Sequence, residues 1–369
     1  MAGEQVVELS QDESPHGFDE YVERHADGTF FHATAWRDVV TRHFPMHRPR
    51  YLEVRRDGRR VGVLPLFQTK SALSGRALVS LPYAVYGGPL ASDEAAALAL
   101  LAHVRALVDR EGLRFAELRC ARLPATPSQP NGGYEALPSS ALYATFVRAL
   151  PRDPEECLAI IPRKSRASTR QARDRHQLEF HESVSGSGGA GEAAALDEFH
   201  RLFVLNKQRL GSPSFSRAWF ADLLRLGRRR VRLHLVTQGV APKQRVLVAV
   251  ISFLHREVWN PYYSGSVAHA DRLAASNFAY WQLMRAAAAE GFRRFDFGRS
   301  RVDTGPFHFK QNMGFEPTPL PYRFVLGAGE AIPQVNPGNE RFSLPRRLLQ
   351  GMPYTWARAV GPTLMRLVP

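Results

Sequence analysis

One pattern occurs twice in this chain, and it constrains the fold more than any other feature. A strand-forming run, a small-residue loop, a helix closed by glycine and a second strand appear in the same order in both halves. EGLRFAELR (Glu111 to Arg119) lies under EGFRRFDFG (Glu290 to Gly298) without a gap, at an offset of 179. Tyr86-Gly87-Gly88 lies under Tyr263-Ser264-Gly265 at an offset of 177. Near-constant spacing of a strand-helix-strand unit points to internal duplication. The expected class is α/β, with mixed (α+β) sheets, in two tandem domains spanning 1–150 and 151–330, followed by a basic tail at 331–369.

Local signals agree with this division. Phe18 to His25 and Phe31 to Phe44 read as helices, the second with Thr34 placed to cap it. Tyr51 to Arg56 and Arg60 to Lys70 flank Asp57-Gly58, a pair that tolerates the positive φ of a tight hairpin. Asp93 to Gly112 is an amphipathic helix with a glycine stop, and Leu113 to Ala121 is the strand after it. Leu123 to Ser140, rich in Pro, Ser, Asn and Gly, reads as a long loop. In the second half VRLHLVTQG and RVLVAVISFLHR form a strand pair. Trp259 to Val267 takes the place of the small-residue loop, Ser276 to Gly291 is the helix, and FRRFDFG is the strand. Ser183 to Glu192 reads as a loop tip.

The chain carries a formal net charge of +14. Such an excess favours an anionic partner: nucleic acid, a nucleotide or CoA phosphate, or an acidic membrane surface. Two cysteines, Cys120 and Cys157, supply neither a disulfide framework nor a metal spacing, so no metal is expected. The acidic, polar start MAGEQVVELSQDES does not read as a signal peptide. The longest mostly apolar run, Val246 to Leu254, is too short to cross a bilayer, so a cytoplasmic location with no transmembrane segment is expected. The tail from Asn339 is basic, apolar and interrupted by Pro and Gly. It either packs on the body or touches the inner membrane surface. GxxxxGK[ST], GxSxG and HExxH are absent, which sets aside the enzyme classes those motifs mark.

Chemistry concentrates in DFGRSRVDTGPFHFKQNMGF (Asp296 to Phe315). Ligand sites of open α/β sheets gather at the carboxyl ends of strands, and this loop follows one. Arg299, Arg301 and Lys310 bring cations there, and a cation beside a reacting carbonyl stabilises its developing charge. Lys310 stands among Phe307, Phe309, Met313 and Phe315, so either it is a functional lysine in an apolar surround or the loop is a solvated basic one. Asp296 either pairs with Arg299 or orients a substrate amine. Tyr262 and Tyr263, with Trp259, either line an acceptor groove or pack in the core. Arg163, Lys164, Arg166 and Arg170 fall on a helix whose basic face either holds phosphates or is simply solvated.

These residues resemble the FemAB-like branch of the GNAT superfamily, in particular the FemAB-like proteins of exosortase/PEP-CTERM systems in polysaccharide-producing Gram-negative bacteria. FHATAWRDVV, DGRRVGVLPLF, LVSLPYAVYGGPL, RLGSPSFSRAWF, AASNFAYWQLMRAAAAEG, FDFGRS, TGPFHFKQNMGFEPTPLPYRF and GPTLMRLVP carry the likeness. The resemblance implies twin GNAT-like (acyl-CoA N-acyltransferase) domains and marks Phe309 and Lys310 as the catalytic pair. Asp296, Arg299, Ser300, Tyr262, Tyr263 and Asn277 are the candidate substrate-binding residues. The chain departs from that pattern in two ways. It has no helical arm towards tRNA, and it has ADRLAASNF (Ala270 to Phe278) where GNAT enzymes carry a Gly-rich pyrophosphate loop.

The expected activity is acyl or aminoacyl transfer to an amine of a cell-envelope or exopolysaccharide precursor. No cofactor is held permanently, and acyl-CoA or aminoacyl-tRNA is the donor substrate. The rival expectation is a non-catalytic binding or scaffold protein of the same machinery.

Overall fold

A computed structural model describes residues 5–9, 17–71, 75–126, 133–183, 190–240, 244–333 and 343–367. It forms two compact units: Met1–Tyr143 with Pro319–Pro337 and Arg366–Pro369, and Ala144–Thr318 with Gly338–Met365.

In chain order the first unit holds β1 (Gln5–Leu9), α1 (Phe18–Arg24), α2 (Thr34–His43), β2 (Arg48–Arg56), β3 (Arg59–Ser71), β4 (Gly75–Val79), β5 (Leu90–Ala91), α3 (Glu94–Arg110), β6 (Phe115–Leu118) and β7 (Ser139–Ser140). After β8 (Tyr143–Thr145) come β9 (Val147–Ala149), α4 (Arg163–Asp174), β10 (Glu179–Ser183), α5 (Ala190–Arg209), α6 (Arg217–Gly227), β11 (Val231–Gln238), β12 (Arg245–His255) and β13 (Val258–Ser266). Then follow α7 (Ala275–Ala289), β14 (Arg294–Asp296), β15 (Ser300–Arg301), α8 (Gly305–Asn312), β16 (Thr318–Pro319), β17 (Tyr322–Leu326), α9 (Ser343–Gly351) and α10 (Tyr354–Met365).

The duplication is visible in the strand order. The first sheet runs β1-β2-β3-β4-β6-β17-β7, with β5 beside β3, and the second runs β10-β11-β12-β13-β14-β9. In each, three antiparallel strands precede one parallel pair, β4 with β6 and β13 with β14. One helix, α3 or α7, makes each parallel crossover, as such a connection requires. The helices end, and the strands after them begin, 179 positions apart. Gly112 and Gly291 both take positive φ, 57° and 86°, directly after their helices.

The offset of 177 is not a structural equivalence. Leu78 pairs with Ala116 and Trp259 with Phe295, which displaces the paired strands by 181. Because β4 stops at Val79 while β13 continues to Ser266, Tyr263-Ser264-Gly265 lies inside a strand and Tyr86-Gly87-Gly88 beyond one.

Each sheet is completed by a strand remote from it in sequence. β17 pairs antiparallel with β6, and β9 pairs antiparallel with β14. The two compact units divide after Tyr143, and 319–333 lie with the first unit. Of the tail expected from 331, residues 334–342 lie outside the described residues, and the remainder forms α9 and α10. The expected loop tip at 183–192 lies mostly outside them too; its ends belong to β10 and α5.

Local chemistry explains the elements. Asp57 and Gly58 take φ of 51° and 74° in the β2–β3 hairpin. Asp93 caps α3 by accepting the Ala96 amide N–H at 3.0 Å. Thr34 does not cap α2; Ala33 is the N-cap, and Thr34 donates its own amide and hydroxyl to Asp19 at 2.8 and 2.7 Å. The apolar run in β12 is a central strand buried on both faces. Val248, Val250 and Leu254 share one core with Phe278, Trp281, Leu283 and Met284 of α7. Phe253 instead meets Tyr263 in an aromatic cluster with Phe203, Phe215 and Phe220. Full burial of each such side chain contributes roughly 1.5–3 kcal/mol.

Candidate active site

The site starts from a strand pair that parts. β13 and β14 pair only at Val258↔Arg294 and Trp259↔Phe295. Beyond them Asn260 donates its side-chain N–H to the Asp296 carbonyl at 2.6 Å, and among the described residues no further strand pairs with that edge of β13. A bulge leaves Tyr262 opposite no residue of β12. The Val267 amide donates to the Leu247 carbonyl at 2.9 Å, so in antiparallel alternation Ser264 and Ser266 turn their N–H and C=O groups away from β12, into the gap.

Two helices furnish this gap. Gly265 lets the α5 backbone press onto β13: a Cβ there would stand 2.5 Å from the Leu202 carbonyl carbon and the Phe203 nitrogen. The last turn of α5 then reaches the β13 edge. Asn206 donates to the Ser264 carbonyl at 3.4 Å and Arg209 to the Ser266 carbonyl at 2.8 Å. Lys207 stands between them, half-buried, with Nζ 5.3 Å from the centre of the Phe203 ring. Burial lowers its pKa, and the Arg299 charge lowers it further. On α7, Tyr280 hydrogen-bonds Ser264, and burial raises its pKa against that bond. Its ring packs on Phe297 and Phe309 at 4.7 and 5.5 Å.

The stretch expected in place of a glycine loop, Ala270 to Phe278, forms a 3-10 turn and the start of α7. Ala274 takes a left-handed conformation (φ 50°), and no side chain caps the helix. First-turn amides of this kind attract anions.

Lys310 and Phe309 lie on α8. Lys310 is 8% exposed. Its ammonium donates to the carbonyls of Phe297, Gly298 and Arg299 at 2.7, 3.0 and 3.1 Å, and lies over the Phe146 and Phe297 rings. An ammonium has three N–H donors, and all three are engaged. Burial pulls its pKa down to about 7, with Asp296 raising it and Arg299 lowering it. Asp296 accepts the Gly298 amide at 2.7 Å, which fixes the left-handed turn at Gly298 (φ 63°). Lys310 and Asp296 thus shape one loop, and that loop presents Arg299. Ser300, in β15, is buried.

Other candidates fall elsewhere. Tyr263 is buried in the aromatic cluster, while Tyr262 is half-buried at the bulge. Trp259 is core. The Asn277 amide points to the Met313 sulfur at 3.4 Å. On α4, Arg163, Lys164 and Arg170 are exposed, Arg166 reaches the Ala159 carbonyl at 3.4 Å, and Ser165, Thr169 and Ala172 form the buried stripe. Among the described residues no group of three His, Cys, Asp or Glu side chains is placed to hold a metal.

Lys207, Tyr280, Asn206 and Arg209 were not singled out by the sequence. One signal for Lys207 was present: lysine occurs five times, at 70, 164, 207, 243 and 310, among 49 basic residues. Two of the five stand here.

In the first unit the corresponding region is filled by its own chain. The loop 81–90 is buried throughout. Arg119 donates to the Leu81 and Ala84 carbonyls, both at 3.2 Å, and to Glu117. The amides of Gly87 and Gly88 donate to the Arg119 carbonyl at 2.9 and 3.0 Å. Leu81 and Tyr83 take φ of 56° and 64°, a strain held by these bonds.

A parallel crossover repeated in two mixed sheets, with an opened strand edge in the second, defines two GNAT-like domains in one chain. Residues 146–311 match the family described as acetyltransferase (GNAT) domain, which places the chain's second half with acyltransferase folds. Similar solved structures span nearly the whole chain. FemX aligns with a TM-score of 0.66 and 14% identity over 87% of this chain and 96% of that one. A tandem GNAT protein from the clavulanic acid biosynthesis pathway, without AcCoA, aligns with a TM-score of 0.54 and 13% identity over 89% and 100%. L-PGS from Bacillus licheniformis aligns with a TM-score of 0.53 and 12% identity over 94% and 100%. No curated protein matches the chain. Among the described residues no helix is long and apolar enough to cross a membrane.

Proposed function

We propose that the second unit transfers an acyl group from a CoA thioester to a primary amine of an envelope or exopolysaccharide precursor. The observation that carries this reading is the open edge of β13, where Ser264 and Ser266 turn backbone amides into a gap that ends at the uncapped start of α7. An extended donor with amide groups along its arm and phosphates at its end fits that sequence of features. The acceptor nitrogen attacks the thioester carbon beside Tyr262 and Tyr280. Holding both reactants there supplies much of the rate. Lys310 and Phe309 act on the loop and the apolar wall, and Arg299 meets the anionic part of a substrate. The envelope acceptor rests on the FemAB-like resemblance.

Titration with CoA, acetyl-CoA and aminoacyl-tRNA tests the donor. Saturable binding of CoA and acetyl-CoA, lost when Ser264→Pro and Ser266→Pro remove the edge amides, supports the reading. Binding of aminoacyl-tRNA alone replaces the donor, and binding of none overturns the reading.

A second reading, a binding protein without chemistry, is favoured by one observation: the three N–H groups of Lys310 are already engaged by carbonyls. Acetyl-CoA binding with no thiol release in the presence of any amine acceptor would decide for it.

A further inference from the structure

Lysine is scarce in this chain, and Lys207 differs from the other lysine of the site in one respect. Lys310 has three carbonyl partners, whereas the described residues give Lys207 no hydrogen bond and no ion pair. Its amine lies over the Phe203 ring, within the field of Arg299, on the turn of α5 that also binds the β13 edge through Asn206 and Arg209. Guanidinium would remain charged in such a place, and an amine need not.

The surrounding charges leave it without a counter-ion. On α5, Glu198 is bonded to Arg201 and Asp197 to Arg217 of α6. Asp222 of α6 is bonded to Arg225. β13 offers Tyr262 and Tyr263, β12 only Arg245 and His255, and β11 carries Arg232, which is bonded to Glu290, and His234. Glu182 of β10 lies beside His234 and Arg232. Asp296 of β14 raises the pKa of Lys310. The segment 343–367, containing α9 and α10, has arginines and no carboxylate.

We propose that Lys207 is the general base of the transfer reaction, taking the proton from the acceptor's ammonium at the edge of β13. This rests on the transferase reading above. The lone pair of Lys207 Nζ accepts one ammonium proton, and the freed nitrogen lone pair attacks the thioester carbon. As the C–N bond forms and the C–S bond breaks, the second nitrogen proton goes to the departing thiolate. Lys207 then returns its proton to solvent, so that ammonium and thioester become amide, thiol and one released proton. Burial lowers the proton affinity of this amine from its ordinary value, the direction that frees a lysine to act as a base.

Competitive acetylation of the full chain with acetic anhydride across pH 6–11, read at each lysine by mass spectrometry, tests the free amine directly. Lys70 and Lys164, both exposed, serve as internal references. Lys207 is expected to react several-fold faster than either at neutral pH, with a midpoint below theirs. A midpoint equal to theirs overturns the proposal and leaves the transferase reading standing. The second arm is thiol release from acetyl-CoA with a simple primary amine, ethanolamine. Lys207→Arg is expected to lower kcat at least tenfold with little change in CoA affinity, and Lys207→Ala to regain turnover with added trimethylamine, a base with no N–H to acylate. Undiminished kcat in Lys207→Arg also overturns the proposal. A low Lys207 midpoint with no thiol release by the unaltered chain overturns the base through the reading it rests on, and locates the fault in that reading.

Discussion

The Cβ position of Gly265 lies 2.5 Å from the carbonyl carbon of Leu202, so strand β13 and helix α5 touch backbone to backbone. That distance is set by the missing side chain. Gly265→Ala forces α5 away from the strand and draws Asn206, Lys207 and Arg209 off its edge. The expected cost is about 1–3 kcal/mol, in line with overpacking elsewhere, accompanied by loss of CoA affinity. Denaturant midpoints and CoA titration check the two effects together. An unchanged affinity would show that the α5 turn takes no part in donor binding.

Lys310→Met removes the donor shared by the carbonyls of residues 297, 298 and 299. Leaving buried acceptors without a partner costs about 1–3 kcal/mol each, offset in part because a desolvated charge goes with it. The pH dependence has a defined sign. Burial pulls the folded lysine down to about 7, from its ordinary value of 10.5. Between these values the unfolded chain binds the proton that the folded chain has released, so stability rises with pH through this window. Lys310→Met flattens the rise without abolishing it, since the lowered Lys207 acts in the same direction. Urea unfolding at pH 7 and pH 9.5 measures the slope.

Arg119→Met releases the buried loop of the first unit. The carbonyls of Leu81 and Ala84 and the carboxylate of Glu117 lose their common partner. Glu117 is half-buried, so the loss falls below the roughly 3–5 kcal/mol of a fully buried pair broken on one side, and thermal unfolding should show it. CoA affinity should be unaffected, because the open strand edge belongs to the second unit.

Much of the fold was legible because strand, helix and glycine stop are local signals. Asp57-Gly58, Gly112 and Gly291 all take the positive φ that their positions suggest. The exchange of completing strands was not legible. β9 is three residues and β17 five, and nothing local tells which sheet edge each will join. In the site, the loop at 296–299 and the buried Lys310 could be read from alternating aromatic residues. That Lys310 engages three carbonyls could not, because it depends on the turn that Asp296 sets at Gly298. Lys207 and Tyr280 were missed for a related reason. Each lies within an ordinary amphipathic helix, and only packing against β13 brings them to the same gap.

Arg163 and Lys164 stand in the first turn of α4, where no acidic residue is present and Pro162 supplies no side-chain cap. Cations at that end oppose the helix dipole by about 0.3–1 kcal/mol each. Replacing Arg163, Lys164 and Arg170 together by Glu should therefore leave the fold as stable as before or more so. If the exposed face holds a polyanion, the same variant should leave heparin at lower salt, and the salt slope of its tRNA binding should fall by roughly one for each phosphate contact removed. With CoA as donor and its phosphates at the start of α7, the variant's CoA affinity should not change. Unaltered heparin and tRNA binding would show that the basic face of α4 is only solvated. A joint loss of tRNA and CoA binding would extend the donor site along α4, since the two ligands share phosphate chemistry and differ in length.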